Sequence, residues 1–217
     1  MLFYFIPGVR SGPATADLEN VNQIDIMRGE ETEVFGALEN FNLTGSLLYI
    51  HLGSHTKLIH IDSSKRISHS ASTLAGELLH SIQQQTILRS SLPENLFTSF
   101  HEDFFQQGWK NCEDFGLSRT LYHVRILDLN SRFPKESLQS FLLGAILRQE
   151  FVCLSTFAEG REISKVILSG LPQLQPAWTY ALTQTGFEVS SLTAEQTEHA
   201  FLTGMRRIFD SNKRLSK

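Results

Sequence analysis

Cysteine is nearly absent from this sequence: Cys112 and Cys153 are the only two in 217 residues, and they form no C-x-x-C pair. A disulfide framework and a cysteine-rich zinc module are thereby excluded, and a reducing compartment fits. An excess of positive charge is missing too. The chain has 19 Lys and Arg against 23 Asp and Glu, a formal net charge of −4, so no broad cationic surface is available to a nucleic-acid backbone or an anionic lipid. Long hydrophobic runs are scarce at the N-terminus, where the apolar stretch 2–6 is closed by Pro7 and Gly8, too short for a signal-peptide core or a membrane span. The expected partners therefore include neither nucleic acid nor membrane, and the expected location is cytoplasmic. No internal repeat and no low-complexity segment occurs. What is present is 41% hydrophobic residues, ample for a packed core.

Along the chain, residues 2–6 read as a strand directly after Met1. Domains rarely open on a buried element, because chain ends fray unless tied down, so something is expected to be missing upstream. Residues 11–21 read as a loop, and Asp25 precedes a helical pattern with Val34, Phe35 and Leu38 on one face and Glu30 and Glu31 in the first turn. Residues 46–52 and 56–62 read as a hairpin turning at Gly53 and Ser54, with 67–71 as a third antiparallel strand. A helix carrying Leu74, Leu78, Ile82 and Ile87 follows, then helical pieces over 93–129 with Leu96, Phe97, Phe100 and Phe104 as an apolar face. Leu138, Phe141, Leu142, Ala145 and Ile146 form another face behind Pro134. The chain ends in a strand at 166–169 stopped by Gly170, a helix at 176–184, a turn and strand at 186–189, and a Thr-capped helix at 193–209. This order indicates an α/β fold with a mixed sheet.

Two segments carry chemistry. MRGEET, residues 27–32, sets an Arg, a Gly and adjacent carboxylates at a loop-to-helix junction. Gly29 would let a ligand approach the backbone, Arg28 offers a fork for a carboxylate or phosphate, and Glu30 or Glu31 can accept a proton; from the pattern alone, a plain helix start with acidic residues is the leading reading. LGSHTK, residues 52–57, is the hairpin tip, where Gly53 and Ser54 expose backbone N–H groups and Lys57 adds a cation. That suits a phosphate cradle, or simply a turn. His51 and His55 stand four apart on strand and turn, which does not align them as helix ligands would be aligned, so no metal site is assigned. Ser54 lacks the G-x-S-x-G elbow of a hydrolase. Gly170 is either a strand stop or a close approach for an adenine ring. Ala200 and Gly204 form a small-x-x-x-small pair suited to close helix packing.

Taken in order, these segments resemble the 2-dehydro-3-deoxygalactonokinase (2-oxo-3-deoxygalactonate kinase) family of sugar-acid kinases, over almost the whole chain. The anchors are FIPGV (5–9), DIMRGEET (25–32), LLYIHLGSHTKLIHID (47–62) and AGELLH (75–80), with weaker ones at FLLGAI around Gly144 with Glu150, at Gly170, and at Ala200 and Gly204. The resemblance implies an α/β actin-like ATPase (ribonuclease H-like) sugar-kinase fold, of which residues 1–43 would be the end of the N-terminal lobe and 44–217 the C-terminal lobe, the last helix, 193–209, crossing back. It implies phosphorylation of the 6-hydroxyl of 2-dehydro-3-deoxy-D-galactonate by ATP with Mg²⁺. Glu30 matches the carboxylate that acts as base, with Glu31 as fallback and Arg28 beside them. Gly53, Ser54, His55 and Lys57 match the second phosphate hairpin, Gly170 the adenosine region and Glu77 the substrate side.

The chain also departs from the family pattern. Family members carry a further N-terminal stretch with a first phosphate hairpin, D-x-G-[ST]-T/N, which this sequence does not contain. Leu58 replaces a usual Trp, Ala75 a Thr, and Arg148 stands where a Gly is common. The expectation is thus either one half of a split enzyme, complemented by an N-terminal fragment, or a truncated, inactive remnant, with Leu2, Phe3, Phe5, Val34 and Phe35 incompletely covered unless a homodimer buries them.

Overall fold

A computed structural model describes residues 5–95, 97 and 99–215. In chain order the elements are β1 (Val9–Ser11), β2 (Asp25–Met27), α1 (Glu30–Asn40), β3 (Leu47–Leu52), β4 (Thr56–Ile61), β5 (Ile67–Thr73), α2 (Ala75–Gln85), α3 (Glu102–Phe115), α4 (Leu117–Asn130), α5 (Lys135–Ala158), β6 (Lys165–Gly170), α6 (Gln175–Gln184), β7 (Val189–Ser191) and α7 (Ala194–Leu215), with short 3₁₀ turns at Val21–Gln23 and Ile87–Ser90. They form two compact units. One comprises Met1–Ser72, Arg161–Gly170 and Phe187–Lys217; the other comprises Thr73–Gly160 and Leu171–Gly186.

The first unit is built on a mixed sheet of order β5-β4-β3-β6-β7. β3 and β4 are the antiparallel hairpin read from the sequence, while β6 lies parallel to β3 and β7 parallel to β6. Leu47, Tyr49, Ile59, Ile61 and Ile167 on one face pack against Val34, Ala37 and Leu38 of α1 and Ala200 of α7. Strand alternation places these side chains on a common face, and helical spacing aligns those of α1 over them. α1 and α7 cross almost backbone to backbone. A Cβ on Gly36 would stand 1.7 Å from the Ala200 carbonyl oxygen, and one on Gly204 would stand 1.8 Å from that of Thr32. The small-x-x-x-small pair of the last helix is thus a packing device. At the start of α7 the Thr193 hydroxyl accepts the Gln196 N–H (3.1 Å) while the Gln196 side chain accepts the Thr193 N–H (2.9 Å), a reciprocal capping box.

These contacts correct part of the expectation for residues 1–43. Val34 is completely buried, because α7 and the sheet cover it, and Phe35 is half-buried. Phe5 is 82% exposed and neither it nor Ile6 lies in a strand; Leu2 and Phe3 lie outside the described residues. Instead Val9–Ser11 pairs with Asp25–Met27 in a small antiparallel ribbon. Amide exchange in α1 is therefore expected to be as slow as in β3, with fast exchange confined to the exposed loop 12–19. Mass spectrometry of peptic fragments checks this, and fast exchange throughout α1 would contradict the packing.

The second unit is helical. α3 and α5 cross at Gly108 and Gly144, where an added Cβ would meet the opposing backbone at 1.9 and 2.0 Å. Leu138, Phe141, Leu142, Ala145 and Ile146 are all buried, as the spacing predicts. The α2 face is corrected: Leu74, Leu78 and Ile87 are exposed, and Ala75, Leu79, Ile82 and Gln83 point inward. In the Phe-rich stretch Phe105 and Phe97 are the buried rings, while Leu96 lies outside the described residues. α5 is long and apolar enough to cross a membrane, but 61% of its apolar window is buried inside the fold.

Candidate active site

β2 ends at Met27, and the chain turns into α1 through Arg28 and Gly29. Gly29 has φ +114° and ψ −47°, a backbone state that L side chains rarely adopt, which explains a glycine here. The two carboxylates that follow have separate fates. Glu31 is buried; one oxygen accepts the Gly29 N–H at 2.7 Å and the other the Thr32 hydroxyl at 3.3 Å. It serves the helix start, where free N–H groups favour an anion. Glu30 is half-buried and accepts the Arg28 N–H at 3.1 Å, and Arg28 itself is exposed.

The sheet face under α1 changes character along its length. Across β4, β3 and β6 the same face carries Ile61, Leu47 and Lys165, then Ile59, Tyr49 and Ile167, then Lys57, His51 and Ser169. The polar end is closed by Glu33, a residue that the sequence analysis did not single out. Its carboxylate is buried and accepts the Tyr49 hydroxyl at 2.7 Å and His51 Nδ1 at 3.1 Å; His51 Nδ1 also lies 3.2 Å from the Ser169 hydroxyl. Burial alone would raise the Glu33 pKa, but the hydrogen bond and charge of His51, with Ser169 and Tyr49, outweigh it and hold the pKa below the ordinary value. For His51, burial favours the neutral ring and Lys57 opposes the charge, yet Glu33 and then Glu30 outweigh both and raise its pKa. Tyr49, buried beside Glu33, is pushed well above the ordinary phenol value, first by burial and then by the carboxylate charge. The strand parity Tyr49-x-His51, matched to Glu33 and Ala37 one helical turn apart, is the pattern that betrays this cluster.

Of the residues expected at the hairpin, Ser54 and His55 are exposed at the turn and Gly53 is half-buried. A Cβ on Gly53 would come within 3.3 Å of His51 Nε2, so the glycine gives the imidazole room. Lys57 is not directed to the turn. It is buried, and its ammonium donates to the Ile26 carbonyl at 2.9 Å and the Ser72 hydroxyl at 2.7 Å. Gly170 pairs with Leu52 at the same end of the sheet; with φ +84° and a Cβ that would lie 2.1 Å from the Leu52 oxygen, it is required by the backbone. The first unit therefore brings Arg28, Glu30 and Glu31 together at the start of α1. It sets Gly53, Ser54, His55 and Gly170 at one end of the sheet. Glu77 belongs to the second unit, exposed in the first turn of α2, where Glu150 of α5 accepts the Thr73 hydroxyl at 2.6 Å. Burial raises the Glu150 pKa, with the Thr73 bond partly offsetting it. That unit also holds an apolar cleft of about 360 Å³ lined by Phe104, Ile126, Leu127 and Phe133 among others.

Among the described residues no group of three or more His, Cys, Asp or Glu could hold a metal ion.

A family model described as 2-keto-3-deoxy-galactonokinase matches residues 2–208. The curated "Probable 2-dehydro-3-deoxygalactonokinase DgoK1" of Rhizobium meliloti (strain 1021) is 26% identical over 185 residues, which cover 84% of this chain and 59% of that protein. A crystal structure of "a putative 2-dehydro-3-deoxygalactonokinase protein from Sinorhizobium meliloti" superimposes with a TM-score of 0.72 at 24% identity, covering 93% of this chain and 64% of that one. Component A of the (R)-2-hydroxyglutaryl-CoA dehydratase of Acidaminococcus fermentans follows with a TM-score of 0.50 at 13% identity, covering 82% of this chain and 66% of that one. The fold is thus the α/β class with a mixed sheet expected from the sequence, shared with that solved kinase-family structure, and the chain spans 59% of the length of the curated relative it matches. With its acidic helix start and glycine hairpin in place and the match running from residue 2 to 208, the chain belongs to the 2-keto-3-deoxy-galactonokinase family.

Proposed function

We propose that this chain supplies the proton acceptor, the second phosphate turn and the nucleotide strand end of a cytoplasmic, ATP-dependent kinase that phosphorylates 2-dehydro-3-deoxy-D-galactonate on its 6-hydroxyl in galactonate catabolism. The observation that supports this reading is the division of labour between adjacent carboxylates: Glu31 is occupied by the Gly29 N–H and Thr32, whereas Glu30 stays half-buried and close enough to His51 for its charge to act on the ring. In the proposed step the acceptor oxygen attacks the γ-phosphorus, the bond to the β-γ bridging oxygen breaks, ADP leaves, and the hydroxyl proton passes to Glu30. Exposed Arg28 pairs with the carboxylate of the sugar acid. The turn at Gly53, Ser54 and His55 offers N–H donors to the phosphates, and the Gly170 strand end lies against the nucleotide. Mg²⁺, brought as MgATP, supplies charge neutralisation of the phosphates. Such a reaction is mostly alignment and charge stabilisation, so donors from both sides of the phosphates are needed.

For that reason the chain by itself is expected to transfer little or no phosphate, since its 217 residues contain no D-x-G-[ST]-T/N segment. Adding a segment of a longer relative that carries that hairpin should restore transfer, measured by ADP release with the sugar acid. Turnover by the lone chain at an ordinary kinase rate of about 1–100 per second would sink the two-part reading. Silence in every pairing would favour the second reading, which the missing hairpin supports: an inactive chain that only binds a ligand or a partner, including a second copy of itself.

A further inference from the structure

The cation expected at the hairpin tip is engaged elsewhere. Lys57 is buried with its ammonium between the Ile26 carbonyl and the Ser72 hydroxyl, so it braces strands. The polar end of the sheet nevertheless offers another cation. His51 directs Nδ1 inward, 3.1 Å from the buried Glu33 carboxylate and 3.2 Å from the Ser169 hydroxyl. The opposite edge of the ring is turned toward the hairpin tip, since a Cβ built on Gly53 lies 3.3 Å from Nε2 and 3.4 Å from Cδ2. The side chain keeps 22% exposure while Glu33 keeps 6%, so the ring stands between a buried anion and solvent at the turn.

We infer that His51, clamped by Glu33, is the phosphate-binding cation of the hairpin turn, donating from Nε2 to a phosphate oxygen of the nucleoside triphosphate. This assignment rests on the kinase reading above and deepens it. Glu33 does for the imidazole what a carboxylate does wherever it receives Nδ1–H: it fixes the tautomer, orients the ring and favours the charged form. The charged groups acting on His51 are Glu33 and Glu30 from α1 and Lys57 from β4, with the neutral Ser169 of β6 also in contact; the carboxylates prevail, and the pKa is raised. A free anion arriving at Nε2 adds to that stabilisation, so binding phosphate and holding the proton reinforce each other.

The test uses the chain as it exists, with tripolyphosphate as probe and galactonate as a carboxylate control. NMR of the labelled imidazole should show the His51 titration midpoint rising when tripolyphosphate binds and staying in place with galactonate. His51→Gln should weaken tripolyphosphate by about tenfold to a hundredfold, the range of a charge-assisted hydrogen bond, and should flatten the fall in affinity that the wild type shows as pH rises through the His51 midpoint. Glu33→Gln keeps the ring and covers the case in which His51→Gln fails to fold: it should lower the His51 midpoint and shift the pH profile of binding by the same amount. Tripolyphosphate binding that is unchanged in His51→Gln, a pH profile that stays put in Glu33→Gln, or a His51 response to galactonate alone would each overturn the assignment. The readout needs no turnover. His51-dependent binding without transfer in any pairing counts against the kinase reading alone, and transfer with His51-independent binding counts against His51 alone.

Discussion

Glu30→Gln is expected to lower turnover about a hundredfold to ten-thousandfold in a form that transfers phosphate, whether full-length or reconstituted, with nucleotide affinity nearly unchanged. The amide keeps the size of the side chain and can still accept the Arg28 N–H seen at 3.1 Å, so the turn into α1 persists. What is lost is the ability to take the proton of the attacking hydroxyl. Glu31→Gln separates the two neighbours. Both Glu31 oxygens are in use, by Gly29 N–H at 2.7 Å and by Thr32 at 3.3 Å, so that change should register as reduced stability with turnover largely preserved. Steady-state kinetics and thermal melts of the two variants decide. A silent Glu31→Gln beside an active Glu30→Gln would move the base by one residue.

The largest structural effect is expected from a single methyl group at Gly36. Its Cβ would fall 1.7 Å from the Ala200 carbonyl oxygen and 2.7 Å from the Gly204 nitrogen, both backbone atoms of α7 that cannot rotate away. The helices must separate, and the core they cover, with Val34, Ala37 and Ala200 at zero exposure, must open with them. Overpacking of this kind costs ~1–3 kcal/mol and sometimes more, so Gly36→Ala should lie at the upper end of that range or beyond it. Gly160→Ala is the comparison: φ is +70° there, but nothing lies within 4 Å of the added carbon, so only the backbone preference of about 1 kcal/mol is lost. Urea denaturation of both variants gives the difference directly, and equal losses would show that the crossing tolerates displacement.

The long periodic elements were legible because their patterns are local. β3 is a short apolar run and β4 an alternating one on either side of the turn at Gly53, and Leu138 to Ile146 repeats with helical spacing, so these were readable without knowing what they pack against. The ribbon of β1 and β2 was not, since three-residue strands separated by a loop leave no periodic trace. The face of α2 was misplaced by one position because Leu74 and Leu78 are as apolar as Leu79; only tertiary contact chooses between them. Within the site, MRGEET and LGSHTK stood out as motifs, yet the motif pointed Lys57 at the tip when its parity with His51 puts it under α1. Glu33 was hidden by its neighbours: a third carboxylate after Glu30 and Glu31 looks like helix-start charge until Tyr49 and His51 are brought beneath it across a long gap in sequence.

Lys57 also has a mechanical meaning. Through Ile26 it holds the strand that leads directly to Glu30, and through its own strand it belongs to the hairpin that carries Gly53. Under the proposed function, proton acceptor and phosphate turn would thus be mounted on one bracket, and the spacing between them would be held by Lys57. That spacing would act as a ruler. A polyol acid would then be accepted according to how far its reactive hydroxyl projects from the group that anchors it, and a chain one carbon too short would present its oxygen out of register however tightly it bound.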